Sequence, residues 1–309
     1  MTASLAVFGN KTTTETLLRH LIEGDITPDL VITLGAAARG KVAIAGASDS
    51  LGDLCQTAGI EVYEAESYAL SSTADRAFFA GRDFGLGLCT GWQRLIPQAV
   101  LDRFAAGVFG WHGSLMAFPH GRGRSPLNWS IRLGGDRVYH NCFRYRAGVD
   151  DGPVFEMQVL PITPETEIAD LQGAALEHIK ASAVEVIRAC RSGSLEERLI
   201  EQPPGPSVML PKITPDDGRL TFQRSDAAAL SCLIRSCARP FPGAFATVNG
   251  TPVARIWRAT VLEVDGPPGQ VRQAEDSAIL IPARNGSLRI DELDMLAGSS
   301  RALDGAVLD

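Results

Sequence analysis

No apolar run in this chain approaches the ~18 residues that would suggest a membrane span. Its start, Met1-Thr2-Ala3-Ser4-Leu5-Ala6-Val7-Phe8, lacks the basic stretch that opens a secretory leader. A cytoplasmic protein with no membrane partner is therefore expected. Cysteines are few: six, at 55, 89, 142, 190, 232 and 237, with no CxxC among them. Cys232 and Cys237 fall five apart on a predicted helix, where bridge geometry is poor. Small buried thiols in a reducing compartment are expected, and no metal. No Lys/Arg run is longer than two, and 29 basic against 36 acidic residues leave a net charge of −7. Non-specific phosphate binding grows with the number of cationic contacts, so the balance argues against a general nucleic-acid binder. The first strand-to-helix turn, Gly9-Asn10-Lys11-Thr12-Thr13-Thr14, has neither GxGxxG nor the P-loop lysine pattern, which argues against a dinucleotide or NTP site there.

What is present is an ordinary globular composition, 45% hydrophobic and 21% charged, over 309 residues, enough for two domains. Short apolar runs at Leu5 to Phe8, Asp29 to Leu34, Gly59 to Tyr63, Phe84 to Cys89 and Ala106 to Phe109 predict strands. Helical spacing lies between them: Leu17, Leu18, Leu21 and Ile22 share a face, 48–58 follows, and a short helix starts at Ile96. Val138 to Arg146 alternates like a later strand. A long helix carries Ile168, Leu171, Ala175, Ile179, Ala183 and Ile187. Strands alternating with helices predict a doubly wound, mainly parallel α/β sheet over residues 1–200. Gln202-Pro203-Pro204-Gly205-Pro206-Ser207 marks a linker at 201–208. Beyond it, one helix capped by Asp226 and short strands punctuated by Asn249-Gly250 and Asn285-Gly286 predict a smaller β-rich, barrel-like unit over 209–309. There is no internal repeat.

Open α/β sheets bind ligands at the carboxyl ends of their strands. His112 is expected just past the fifth strand, in Phe109-Gly110-Trp111-His112-Gly113-Ser114-Leu115. A cationic loop follows from Met116 through Arg122 and Arg124 to Ile131. Basic residues also gather at Arg132, Arg137, Arg144 and Arg146. The turn Gly148-Val149-Asp150-Asp151-Gly152-Pro153 then offers two adjacent carboxylates, although turns favour Asp and Gly for backbone reasons alone.

Taken in order, HGSL, RGRSPLNWSI, a strand, GVDDGP and VLPITPETEIADL resemble the formyltransferase family that uses 10-formyltetrahydrofolate. Leu210-Pro211-Lys212-Ile213-Thr214-Pro215-Asp216-Asp217 and Arg239-Pro240-Phe241-Pro242-Gly243-Ala244-Phe245 look like matching parts of its second domain, so the resemblance spans essentially the whole chain. HGSL…RGRSPLNW and RPFPGAF look most like the enzymes that formylate amino-sugar nucleotides. The resemblance implies formyl transfer from 10-formyltetrahydrofolate to a primary amine of a small molecule, a sugar nucleotide or an amino-acid-derived amine. It implies His112 and Asp150 as the catalytic pair. It also places main-chain groups of Arg94, Leu95 and Ile96 at the pterin-like ring, the loop Arg146, Ala147, Gly148 and Val149 over that ring, and Arg124 in the site. The family has an Asn two residues before the His to bind the formyl oxygen; Gly110 stands there. Asn141 and His140 are candidate replacements by neighbourhood. Two residues are also inserted before Arg122, which reshapes the loop. Methionyl-tRNA formylation is an alternative, its wedge expected in Gly35-Ala36-Ala37-Ala38-Arg39-Gly40-Lys41, which carries only two charges. A folate-binding relative without turnover, motivated by Gly110, is another. A homodimer is compatible with the sequence.

Overall fold

A computed structural model describes residues 4–40, 46–273, 278–296 and 303–309. Lys41, at the end of the segment where the tRNA wedge was expected, lies outside them. The first part of the chain runs β1 (Leu5–Phe8), α1 (Thr12–Glu23), β2 (Leu30–Leu34), α2 (Ala36–Arg39), α3 (Leu51–Ala58), β3 (Glu61–Ala65), α4 (Thr73–Ala80) and β4 (Leu86–Cys89). It continues through α5 (Gln98–Leu101), β5 (Val108–Ser114), β6 (Arg122–Gly123), α6 (Pro126–Arg132), β7 (Arg137–Arg144), β8 (Val154–Pro161) and α7 (Ile168–Ser192). After it come β9 (Met209–Leu210), α8 (Ala227–Cys237), β10 (Ala244–Val248), β11 (Thr251–Leu262), β12 (Arg272–Gln273), β13 (Ile279–Pro282) and β14 (Ser287–Met295).

Among the described residues, seven strands make the large sheet, in the order β3-β2-β1-β4-β5-β7-β8. Pairing is parallel from β3 to β5, and β7 and β8 add antiparallel. Side-chain alternation builds a core on each face. Leu5 and Val7 pack with Leu17, Leu18 and Leu21 of α1, Cys55 of α3 and Ile187 of α7. Ala6 and Phe8 pack with Phe79 of α4, Val100 and Leu101 of α5, and Val108. The doubly wound, mainly parallel sheet expected from the sequence is thus present.

Local differences from the sequence reading have local causes. β5 does not stop at Phe109 but runs to Ser114, because β7 pairs with it over that whole length. His112 therefore lies inside a strand, not after one. The 116–131 segment is not all loop: α6 starts at Pro126, whose fixed φ suits a first helical position. Arg122–Gly123 pairs with Met209–Leu210. The later strand ends at Arg144 and not Arg146, since Tyr145 N–H turns to Val108 O at 2.7 Å. Helix α4 and strand β8 were not read from the sequence.

After the proline-rich segment, β10-β11-β14-β13-β12 form a five-stranded antiparallel sheet with α8 against it. Residues 303–309 tie its two ends together: Leu308 N–H donates to Gly269 O and Asp309 N–H to Thr247 O, both at 2.9 Å. This sheet is docked on the first through α6 and α8. Ile131, Ile168 and Ala238 share one apolar cluster, and Asn128 Nδ2 donates to Ser236 O at 2.8 Å in a buried position. Asn128→Ala is expected to lower unfolding stability by about 1–3 kcal/mol, read by urea titration, because it strands that carbonyl.

β7 is held to α7 by a buried histidine pair, His140 Nδ1 to His178 Nδ1 at 2.7 Å. One ring donates and the other accepts, so neither needs a charge. Burial pushes His140 down to about 3 and His178 down to about 4. Glu156 Oε1 stands 3.6 Å from His178 Nε2, but burial outweighs it. In the unfolded chain both rings titrate near 6.5, so below that pH the unfolded state takes up protons that the native pair refuses. Stability from this pair is complete above pH ~6.5 and lost as the pH falls toward 4, at up to about 1.4 kcal/mol per pH unit for each ring. The urea midpoint should drop between pH 7 and pH 5, and His178→Asn should show a shallower drop over that window.

Candidate active site

β5 has parallel support from β4 only as far as Gly110, which faces Cys89. Past that point it pairs with β7 alone, with His112 opposite Asn141. Residues 108, 110 and 112 point to one face by strand alternation, so the His112 ring is carried over the carboxyl ends of the parallel strands. The ring is buried and meets acceptors at both nitrogens. Nδ1 lies 3.5 Å from Asp150 Oδ2, and Nε2 lies 3.1 Å from Gly121 O. Phe118 stacks on it with centroids 5.8 Å apart.

Asp150 arrives from the hairpin between β7 and β8. Its φ is +50°, a left-handed conformation that Asp tolerates better than most residues. The turn is clamped from the proline-rich segment. Gln202 Nε2 donates to Asp150 O at 2.8 Å and to Gly152 O at 2.7 Å. Its Oε1 accepts from Arg122 Nη2 at 2.5 Å. Gly123 N–H points at Asp150 Oδ2 from 3.4 Å. At 152 only glycine fits, because a Cβ would overlap Arg144 O. Two ion pairs add to the anchoring, Arg144–Glu196 at 2.5 Å and Arg146–Glu201 at 2.6 Å.

The other predicted residues divide into two groups. Leu95 is 56% exposed and Val149 36%, apolar side chains left in the open at the strand ends. Ala147 and Gly148 are exposed beside Val149. Among the described residues, the N–H and C=O groups of Arg94, Leu95 and Ile96, and of Arg146 through Val149, make no backbone hydrogen bond. Two open main-chain edges with exposed apolar side chains suit a flat heterocycle that has donors and acceptors around its rim. Trp92 Nε1, buried without a partner, is a further free donor. Ile96 itself belongs to the core, and Arg94 lies over the Tyr68 ring at 5.1 Å. Arg124 is exposed, and its backbone N–H donates to Leu210 O at 2.8 Å, so the residue is tied to the second part of the chain.

Of the two neighbourhood candidates for a donor near residue 110, the structure places His140 away from it and gives Asn141 other partners. Asn141 Nδ2 donates to backbone carbonyls, Tyr139 O at 3.2 Å and His112 O at 3.4 Å. His140 points to the opposite face of the sheet, toward α7. The side chain that stands beside Gly110 is Tyr145: a Cβ on residue 110 would overlap Tyr145 Oη, Cζ and Cε1. Tyr145 and Gln202 are the two residues of this region that the sequence reading missed. Gln202 sits in what reads as a featureless linker, and Tyr145 at the end of a strand whose hairpin had no legible geometry.

An α/β sheet carrying a His112–Asp150 pair over its strand ends is thus docked on an antiparallel sheet, a two-part architecture. Residues 4–187 match the family described as "Formyl transferase" and residues 212–302 its "Formyl transferase, C-terminal domain"; the chain belongs to the formyl transferase family. It is 31% identical to the methionyl-tRNA formyltransferase of Herminiimonas arsenicoxydans over 207 residues, 66% of this chain and 63% of that protein. It is 30% identical to the one of Janthinobacterium sp. (strain Marseille) over 237 residues, 76% of this chain and 70% of that protein. The first of these matches thus spans less than two thirds of the relative's length. Among solved structures, the fold is similar to the N-formyltransferase from Helicobacter canadensis, solved with folinic acid and dTDP-3-aminofucose, with TM-score 0.67 and 15% identity over 93% of this chain and 98% of that one. It is also similar to HypX from Aquifex aeolicus, solved with tetrahydrofolic acid, with TM-score 0.64 and 17% identity over 96% of this chain and 45% of that one.

Gln202→Ala removes both donors to the Asp150 turn and frees Arg122. It is expected to cost about 1–3 kcal/mol of stability by urea titration and to slow turnover by loosening Asp150.

Proposed function

We propose that this chain transfers a formyl group from 10-formyltetrahydrofolate to a primary amine of a small molecule, a sugar nucleotide or an amino-acid-derived amine. The observation that carries this is the His112–Asp150 pair, 3.5 Å apart in a chain that matches both parts of the formyl transferase family. In this proposal residues 1–200 hold the chemistry, 201–208 link, and 209–309 complete the acceptor side. The folate supplies an activated formyl group on N10. The main-chain edges at 94–96 and 146–149 would hold its ring, with Leu95 and Val149 against the apolar faces. Attack by the acceptor nitrogen requires that it lose a proton, and the departing N10 requires one. His112 is the group placed to carry it. Asp150, held by Gln202, orients the ring and offsets the positive charge while the proton is in transit. The Gly121 carbonyl now bonded to Nε2 must give way for the acceptor to reach that nitrogen.

Methionyl-tRNA is the second acceptor class, favoured by the names of the sequence relatives. The net charge of −7 weighs against it. Among the described residues, no helix is long and apolar enough to cross a membrane.

The test is a screen of amines and of methionyl-tRNA with 10-formyltetrahydrofolate, following tetrahydrofolate release. Turnover with a small amine and none with tRNA is expected. His112→Ala and Asp150→Asn should each lower kcat by about 10²-fold or more, the usual scale for removing a proton-transfer group. Release only with tRNA would overturn the small-molecule assignment.

A further inference from the structure

Resting on the formyl-transfer reading above, we propose that the Tyr145 hydroxyl is the hydrogen-bond donor that stabilises the negative charge developing on the formyl oxygen beside His112. As the acceptor nitrogen's lone pair forms a bond to the formyl carbon, the carbonyl electrons move to oxygen. They return as the bond from that carbon to the donor nitrogen breaks. The acceptor loses one proton and the departing nitrogen gains one, so no further reactant is needed. A donor aimed at that oxygen is worth about 10²–10³ in rate.

Such a donor must stand near His112 on the same face of β5. Residue 110 shares that face, roughly 6.6 Å along the strand, but as glycine it carries no group. The room is taken by Tyr145, whose Oη, Cζ and Cε1 occupy the space of a residue-110 side chain. Three donors close to His112 along β5, β7 and the facing loop already have partners. Asn141 Nδ2 serves two backbone carbonyls, Trp111 Nε1 donates to Ser182 on the other face at 2.8 Å, and Gly123 N–H faces Asp150.

Tyr145 is also held in place. Its N–H is bonded to Val108 O, and its ring packs on Phe143 with centroids 5.2 Å apart. Phe143 meets Phe118, which stacks on His112. The hydroxyl lies beside the Cys89 thiol, and the two groups interact. Burial raises the phenol well above its ordinary range, with Cys89 and Asp150 adding to the effect, and pushes the thiol up to about 12. Both groups keep their protons at neutral pH. A thiol is a weak partner, so the phenol O–H is free to turn to a better acceptor while the S–H supports the phenolic oxygen. Gly110 and Tyr145 form one device: the glycine leaves the room and the tyrosine supplies the donor.

The test uses the full chain and its Tyr145→Phe variant, which keeps the ring and removes the hydroxyl. The probe is 10-formyl-5,8-dideazafolate with a 13C-labelled formyl carbonyl. The expected result is binding within about twofold of the parent, with the bound carbonyl stretch at higher frequency than in the parent. With the amine found by screening, kcat should fall by about 10²-fold while KM for the folate is little changed. An unmoved carbonyl band, or undiminished kcat, would overturn the role of Tyr145 alone. A parent protein that fails to bind the probe would instead remove the formyl-transfer reading on which the proposal stands.

Discussion

The site depends on the reversal of strand direction across β5. On one side β5 is parallel to β4, and that pairing ends at Gly110. On the other it is antiparallel to β7 out to Ser114. The four residues beyond Gly110 therefore keep a rigid strand geometry while standing clear of the parallel sheet. A histidine on a loop would sample many positions there; on a strand it has one. β7 is in turn antiparallel to β8, and the hairpin that joins those two strands carries Asp150 to His112. The antiparallel pairings of β7 with β5 and with β8 thus supply the two members of the pair.

Holding that geometry is shared along the chain. Asp150 sits in a left-handed conformation that its local sequence does not enforce, and the donors of Gln202 secure it from the stretch joining the two sheets. The same stretch reaches the opposite wall: Ser207 Oγ donates to Pro119 O at 2.5 Å, and β9 pairs with β6. The ion pairs nearby, Arg144–Glu196 and Arg146–Glu201, have exposed carboxylates and contribute little individually. The neutral, part-buried amide contacts of Gln202 are the stronger restraint. In the proposed reaction the net charge of −7 and the docked second sheet bear on which acceptor can approach, whereas the proton chemistry belongs to the first sheet.

Membership in the formyl transferase family rests on matches across both parts of the chain, while the two solved fold neighbours described above share 15% and 17% identity. At that distance the backbone plan is shared and the side chains lining a pocket are free to diverge. In this chain the bare Gly110 is paired with Tyr145, whose ring and hydroxyl occupy the space of a residue-110 side chain. Close packing explains the coupling: an empty space the size of a side chain costs several kcal/mol, so a glycine there needs a neighbour that fills it.

Much of this was legible in the residues. The alternation of apolar runs dictated a doubly wound sheet, because each strand must bury both faces and each helix one. Asn-Gly turns marked the antiparallel unit, since few other residues accept positive φ. His112 and Asp150 stood out by their places in ordered motifs. Other features were decided only by tertiary structure. That β5 extends through His112 depends on β7, a partner far along the chain, and no local propensity encodes it. That His140 is committed elsewhere depends on the face of β7 it occupies, and that Asn141 is depends on the two backbone carbonyls within its reach. Gln202 reads as linker until the hairpin carbonyls are placed beside it, and Tyr145 reads as a strand-end aromatic until the chain folds it over Gly110. Local sequence determines periodicity and turns, which are short-range effects of backbone sterics and burial. The choice of which distant groups share one small volume is made by packing, and in this protein the site is built from those choices.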